Sequence, residues 1–231
     1  MRRSASVWWA LIRATWGEQL SRPIIAVMGL AYCASEMAGV LYGHELNDPT
    51  LILTLLVGAG SIGRDVTTGV LPLVFTRPFA RGTYVLAKWL AVSSAAAVAG
   101  VLALAVQAVW LRHRSFGLPA AAVGGAFFTA ATTAAGIAAL LVFLSTLVSG
   151  VGDVGLWTLL RLGGFLVGKE LGPRFTQEWS ALVEPALSWE TLSTWDAGAW
   201  FRLVSYLSTV TLFLFAAVVS ANRKELSYAA G

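Results

Sequence analysis

Between Trp89 and Trp110 no residue carries a charge. The two tryptophans are 21 residues apart, which on an α-helix is about 31 Å at 1.5 Å per residue. That is the thickness of a bilayer's hydrocarbon core, and an indole at each end suits the headgroup level because its ring is apolar and its N–H is polar. The interval therefore predicts a membrane-spanning helix. Across the whole chain 57% of residues are hydrophobic and 12% are charged, against about 25% charged in a soluble domain, so lipid is the expected solvent for most of the surface. One transmembrane domain covering residues 1–231 accounts for the chain.

Further segments follow the same logic. In Val7–Leu20 the residues Trp8, Leu11, Ile12, Trp16 and Leu20 recur at helical spacing, with Arg13 and Glu18 elsewhere on the wheel. This predicts a cytoplasmic interfacial helix over residues 1–21. Because Arg13, Gly17 and Glu18 break its apolar stretch, it is not expected to be a cleaved signal peptide. A first span is expected over Pro23–Tyr42, then a hairpin at Gly43–Asp48 in which Asn47 or Asp48 caps the next helix. The second apolar run, Leu51–Ile62, is short. Its helix must continue past Arg64 and Asp65 or sit where the bilayer is thinned. A third span is expected over Thr83–Leu111 and a fourth over Leu118–Val148. In the fourth, small residues at Ala121, Gly125, Thr129 and Thr133 predict close helix packing. A turn at Ser149–Asp153 leads to a fifth helix, Val154–Val167, interrupted by Arg161. Residues 169–200 hold five acids and four tryptophans, too polar to span and too aromatic for a plain linker, so short helices on the external membrane surface are expected. The sixth span is Phe201–Ser220. The fold class is thus an all-α polytopic membrane protein with an N-terminal interfacial helix and about six transmembrane helices.

Placing both termini in the cytoplasm satisfies the positive-inside rule for most basic residues. Arg2, Arg3, Arg13, Arg22, Arg64, Arg77, Arg81, Lys88, Arg223 and Lys224 then face inward. Arg112, Arg114, Lys169, Arg174 and Arg202 face outward. The net charge of +4 is spread over helix ends, and no basic face predicts a nucleic-acid partner.

Catalytic chemistry finds little to use. Cys33 is the single cysteine, which excludes an internal disulfide and a thiolate metal site. The two histidines, His44 and His113, lie in separate loops without metalloprotease spacing. Gly163 to Glu170 approaches the Walker A pattern, but Glu170 stands where a magnesium-binding hydroxyl is required, and the segment follows an apolar helix rather than a strand. No catalytic residue, metal or cofactor is expected in this chain. Glu36 and Arg161 are the charges placed inside spans, either as a buried ion pair or cavity lining between the first and fifth helices, or as groups that snorkel to headgroups.

The segment 63–88 is the most informative. It is expected to be a cytoplasmic loop with a short amphipathic helix, in which Leu71, Phe75 and Phe79 recur every fourth residue with Arg77, Arg81 and Lys88 around them. Pro78 should kink or end that helix. The pattern Asp65, Gly69, Leu71, Pro78, Arg81, Lys88 resembles that of the permease subunits of the ABC type-2 transporter family, with Asp65 where Glu is usual and Val70 where Thr is usual. The order of interfacial helix, six spans, external segment and basic tail is similar as well. The resemblance implies an exporter permease in a bacterial inner membrane that pairs with a second permease copy or a homologous one. It also implies that residues 63–88 dock a cytoplasmic ABC ATP-binding subunit, the partner that would hold ATP and magnesium. An intramembrane enzyme acting on lipid or peptide and a noncatalytic membrane assembly factor stand as alternatives.

Overall fold

The computed structural model describes residues 2–43, 46–68, 81–114 and 118–228, and among these there are helices and no strands. Leu71, Phe75, Arg77, Pro78 and Phe79, together with Gly69, lie outside the described residues. Helix α1 (Arg2–Leu20) is followed after a tight turn by α2 (Pro23–Gly43). Proline suits that first position because its missing N–H has no partner to lose there. Then come α3 (Thr50–Gly58) and the short α4 (Gly63–Thr67). The long helices α5 (Arg81–His113) and α6 (Ala120–Leu147) follow. Helices α7 (Gly152–Leu171), α8 (Pro173–Val183) and α9 (Trp189–Ser193) lead to α10 (Ala197–Tyr228).

Among the described residues four segments are long and apolar enough to cross a membrane: α3 with α4, α5, α6, and α10 as far as Arg223. Helix α2 holds a shorter apolar stretch, Ile25–Val40. Helix α7 carries Asp153, Arg161, Lys169 and Glu170 and does not meet the same standard. The protein is therefore a helical membrane protein with four clear candidate spans, where the sequence suggested about six.

Helix α6 is the hub, touching α3, α5, α7, α9 and α10. Ile137, Leu141 and Val142 on it are fully buried. They pack with Leu55, Trp157 and Phe213 on one side and with Ile62, Tyr84, Val85 and Ala217 on the other. Lipid is as apolar as leucine, so such packing is held by dispersion and close fit more than by the hydrophobic effect. The outer faces of α5 and α10 expose Leu102, Val106, Val109, Phe201, Leu212 and Phe215, as lipid-facing helices should.

Polar side chains fix the joints between helices. Asp48 Oδ1 accepts the Thr50 N–H at 3.0 Å, while Pro49 holds the N-cap position of α3, which has no side-chain cap of its own. The Gln107 side-chain amide accepts from the Asn47 N–H at 3.0 Å and donates to the Asn47 carbonyl at 3.1 Å, tying the α2–α3 connection to α5. The Trp89 indole is turned inward, donating to the Ala135 carbonyl at 2.9 Å. It locks α5 to α6 instead of marking a free headgroup boundary.

The segment after α7 folds back on the body. Gly164 and Gly168 form a notch: a Cβ on Gly164 would lie 1.8 Å from Trp179, and one on Gly168 would lie 2.2 Å from Thr176 Oγ1. The Trp179 N–H donates to the Leu160 carbonyl at 2.9 Å and the Trp157 N–H to the Val183 carbonyl at 3.1 Å. The glycines of the Walker-like run thus sit inside a helix and admit α8. The small residues of α6 receive the chain after α8 rather than another long helix. Thr132 Oγ1 donates to the Leu187 carbonyl at 2.8 Å, and Gly125 lies against Trp189.

Candidate functional site

Two polar clusters meet at α4, the helix that leads into residues 69–80. The first forms because the chain breaks after α3. Ala59 leaves helical geometry and Gly60 takes a φ of 69°, a left-handed conformation that glycine adopts without strain. Breaking a helix frees backbone donors, which must find partners when buried. The Gly60 N–H donates to Asp153 Oδ2 at 2.8 Å. The Ile62 and Gly63 N–H groups both donate to Ser145 Oγ, at 2.9 and 2.8 Å. Those two bonds fill both acceptor positions of the hydroxyl. Asp153, fully buried, also accepts from the Val154 N–H at 2.9 Å. Finally the Gly150 N–H donates to the Gly63 carbonyl at 3.1 Å. A Cβ on Gly63 would stand 2.6 Å from the Gly150 oxygen, so only glycine lets α4 approach the α6–α7 turn this closely.

The second cluster is charged. Asp65, on α4, lies 2.9 Å from the Lys88 ammonium on α5, and both side chains are almost wholly buried. The Tyr84 hydroxyl donates to the same Asp65 oxygen, and Lys88 also lies 5.8 Å from the Tyr84 ring centroid. From α1, Glu18 Oε2 reaches the Lys88 ammonium at 3.5 Å while its other oxygen is paired with Arg22. Arg22 closes the circuit by donating to the Ala59 carbonyl at 3.4 Å, at the very break that the first cluster pins. Two residues before Glu18, the Trp16 N–H donates to the Ala91 carbonyl at 3.0 Å and clamps α1 along α5. The interfacial helix, the entry to residues 69–80 and the start of α5 are therefore joined by continuous ion pairs and hydrogen bonds.

Of the sequence-predicted site residues, Asp65 and Lys88 come together here. Arg81 opens α5 seven residues before Lys88, so this end of the expected loop is already helical. Glu18, Arg22, Tyr84, Ser145 and Asp153 were not singled out from sequence. Glu18 and Arg22 show the helical i, i+4 spacing of an ion pair. Nothing in the pattern around Ser145 signals its role.

The intramembrane charges need a correction. Arg161 pairs with Glu184, not with Glu36: Arg161 Nε is 2.7 Å from Glu184 Oε1, and the guanidinium lies 5.3 Å from the Trp157 ring centroid. The contact is an ion pair without hydrogen-bond alignment. The reason is the fold-back at the Gly164 and Gly168 notch, which returns the end of α8 to the middle of α7. Burial pushes the Glu184 carboxyl above its usual range, and the Arg161 charge partly opposes that rise. Glu36 lies near Tyr32, one turn earlier on α2. Among the described residues no three His, Cys, Asp or Glu side chains converge as a metal-ligand group would. The clusters consist of opposite charges and backbone donors, an arrangement suited to holding helices in register.

No protein-family model matches the chain, and no curated protein matches it.

Proposed function

We propose that this chain is the membrane-spanning permease subunit of an ATP-driven ABC exporter, of the type-2 family that its segment 63–88 resembles. In this reading α2 and α7 join the four clear candidate spans to make six, both termini lie in the cytoplasm, and α8 and α9 fold in from the external side against α7 and α6. A second permease copy or a homologous one completes the substrate path. ATP and magnesium belong to a separate cytoplasmic subunit that docks on residues 63–88.

The observation that carries this reading is the charged corner at Asp65 and Lys88. A segment that merely connected two spans would have no use for ion pairs tying both its ends to an interfacial helix. A docking segment has such a use, because a push on it must reach the helices without being absorbed by slack. Asp65 stands at one end and Lys88 at the other, and Glu18 joins both to α1 through Lys88. Closure of an ATP-binding dimer against the segment would then tilt α1, α4 and α5 together, shifting the path between its two access states.

The test is purification from native membranes. A cytoplasmic ATPase should accompany the chain in stoichiometric amount, and ATP hydrolysis should reside in that partner. Hydrolysis by the isolated chain, or purification from mild detergent with no ATPase attached, overturns the proposal.

A further inference from the structure

We infer that the cleft between α2 and α5 is a binding site for one acyl chain of a glycerophospholipid whose headgroup carries a hydrogen-bond donor, held at its polar end by Gln19. The inference stands independently of the transport reading. Helix α2 touches the body sparingly and leaves a cavity of about 630 Å³ between α1, α2, α3 and α5, within the usual range of about 300–1,000 Å³ for ligand sites. Its wall runs along α5 from Ala95 to Gln107, twelve residues or about 18 Å. That is close to the depth of one leaflet, about 15 Å for half of a bilayer core. Leu30, Met37, Val98 and Leu102 give the wall its apolar character.

One end of this cavity is polar and unsatisfied. Gln19, on α1, lines it with only 6% of its surface exposed. Among the described residues neither its amide nitrogen nor its amide oxygen has a hydrogen-bond partner. At the far end the Gln107 amide is fully engaged with the Asn47 backbone, so the unmet demand lies at Gln19 alone. A buried amide without partners is costly, and the missing groups must supply both an acceptor and a donor.

The chemistry selects the occupant. Water needs two to four polar partners, and this wall offers it one amide. A helix from a second copy of this chain has its backbone donors and acceptors already paired internally, leaving its backbone nothing to offer Gln19. A phospholipid offers what is missing: an ester carbonyl to accept from the Gln19 NH₂, a headgroup ammonium or hydroxyl to donate to its oxygen, and an acyl chain to line Leu30 and Leu102. Phosphatidylethanolamine and phosphatidylglycerol carry that donor, whereas phosphatidylcholine does not.

The experiment reconstitutes the full chain in mixed phosphatidylethanolamine and phosphatidylglycerol vesicles containing a trace of phosphatidylethanolamine with a diazirine on its acyl chain. Illumination is followed by mass spectrometric mapping. Labels are expected on the cavity wall of α2 and α5, with loss of labelling in Ala99→Phe, which fills the cleft, and weaker labelling in Gln19→Leu. A choline-headed probe of the same acyl chain should label the wild type less. Absence of wall labels in the wild type, or undiminished labelling in a folded Ala99→Phe, overturns the proposal. If Ala99→Phe does not fold, equal labelling of the wild type by the two probes overturns it. A disulfide between two copies through Cys33, formed with copper phenanthroline, would place a second copy in the cleft and also overturn it.

Discussion

The ammonium of Lys88 stands 2.9 Å from a carboxylate oxygen of Asp65, across the gap between α5 and α4, and neither side chain has appreciable access to solvent. Breaking a buried pair by removing one partner costs about 3–5 kcal/mol, because the other charge is left uncompensated. Lys88 serves two carboxylates and Asp65 serves one ammonium. Lys88→Met should therefore destabilise the protein more than Asp65→Asn, and the double variant should recover part of the loss. Thermal unfolding in detergent gives the order, and losses that simply add in the double variant would contradict the coupling.

Ser145 holds two backbone donors at once. Ser145→Ala orphans the Ile62 and Gly63 N–H groups, at about 1–3 kcal/mol for each unsatisfied group. Gly63→Ala should be at least as harmful, since its methyl would meet the Gly150 carbonyl. Hydrogen exchange at the α3–α4 break should accelerate in both variants while the middle of α6 keeps its protection. Unchanged exchange at residues 60–63 would show that the pin is dispensable.

Glu184 gives the chain a pH signature. Its folded-state pKa lies above the ordinary value of 4.5 because burial outweighs the pull of Arg161. For an acid shifted upward the folded state holds the proton more tightly. The associated stability is complete below the unfolded value and is lost as pH rises through the folded one. Acidification through that window should thus stabilise the wild type relative to Glu184→Gln. Arg161→Met removes the opposing influence and should extend the window to higher pH. A pH series of unfolding midpoints checks this, and parallel curves for wild type and Glu184→Gln would refute it.

On the proposed docking role, Phe75→Ala with Phe79→Ala should weaken association with the ATPase while leaving membrane levels intact. Burying each such side chain in a partner groove is worth roughly 1.5–3 kcal/mol before ordering costs. Copurification and ATP turnover in the reconstituted complex are the readouts. Wild-type assembly in the double variant would remove this segment from the interface.

The long helices were legible because their signal is local. An uncharged interval such as Trp89–Trp110 predicts α5 without knowledge of any neighbour, and Asp48 announces the start of α3 from two residues away. The break after α3 left only a trace, the shortness of Leu51–Ile62. Its cause, Asp153 meeting Gly60, spans 93 positions, and a buried Asp–backbone contact leaves no periodic mark. Arg161 was recognisable as a charge in need of a partner, but its partner depends on a fold-back permitted by two glycines that resembled a nucleotide loop. Trp89 shows the same limit: an indole suits a headgroup boundary and a helix carbonyl equally well, and packing against Ala135 decides. At Asp65 and Lys88 sequence supplied the residues, and the three-dimensional structure supplied Glu18, Arg22 and Tyr84.

The corner at α4 has an electrical consequence. Glu18 and Asp65 contribute two formal negative charges, Arg22 and Lys88 two positive ones, so the group as a whole is neutral. Carrying one elementary charge across a full membrane potential involves about 2.3 kcal/mol per 100 mV. A neutral quartet moving as a unit does no such net work. The four paired side chains therefore contribute nothing to voltage sensitivity at first order, and Arg64, on the same short helix, is the charge through which a resting potential acts on α4.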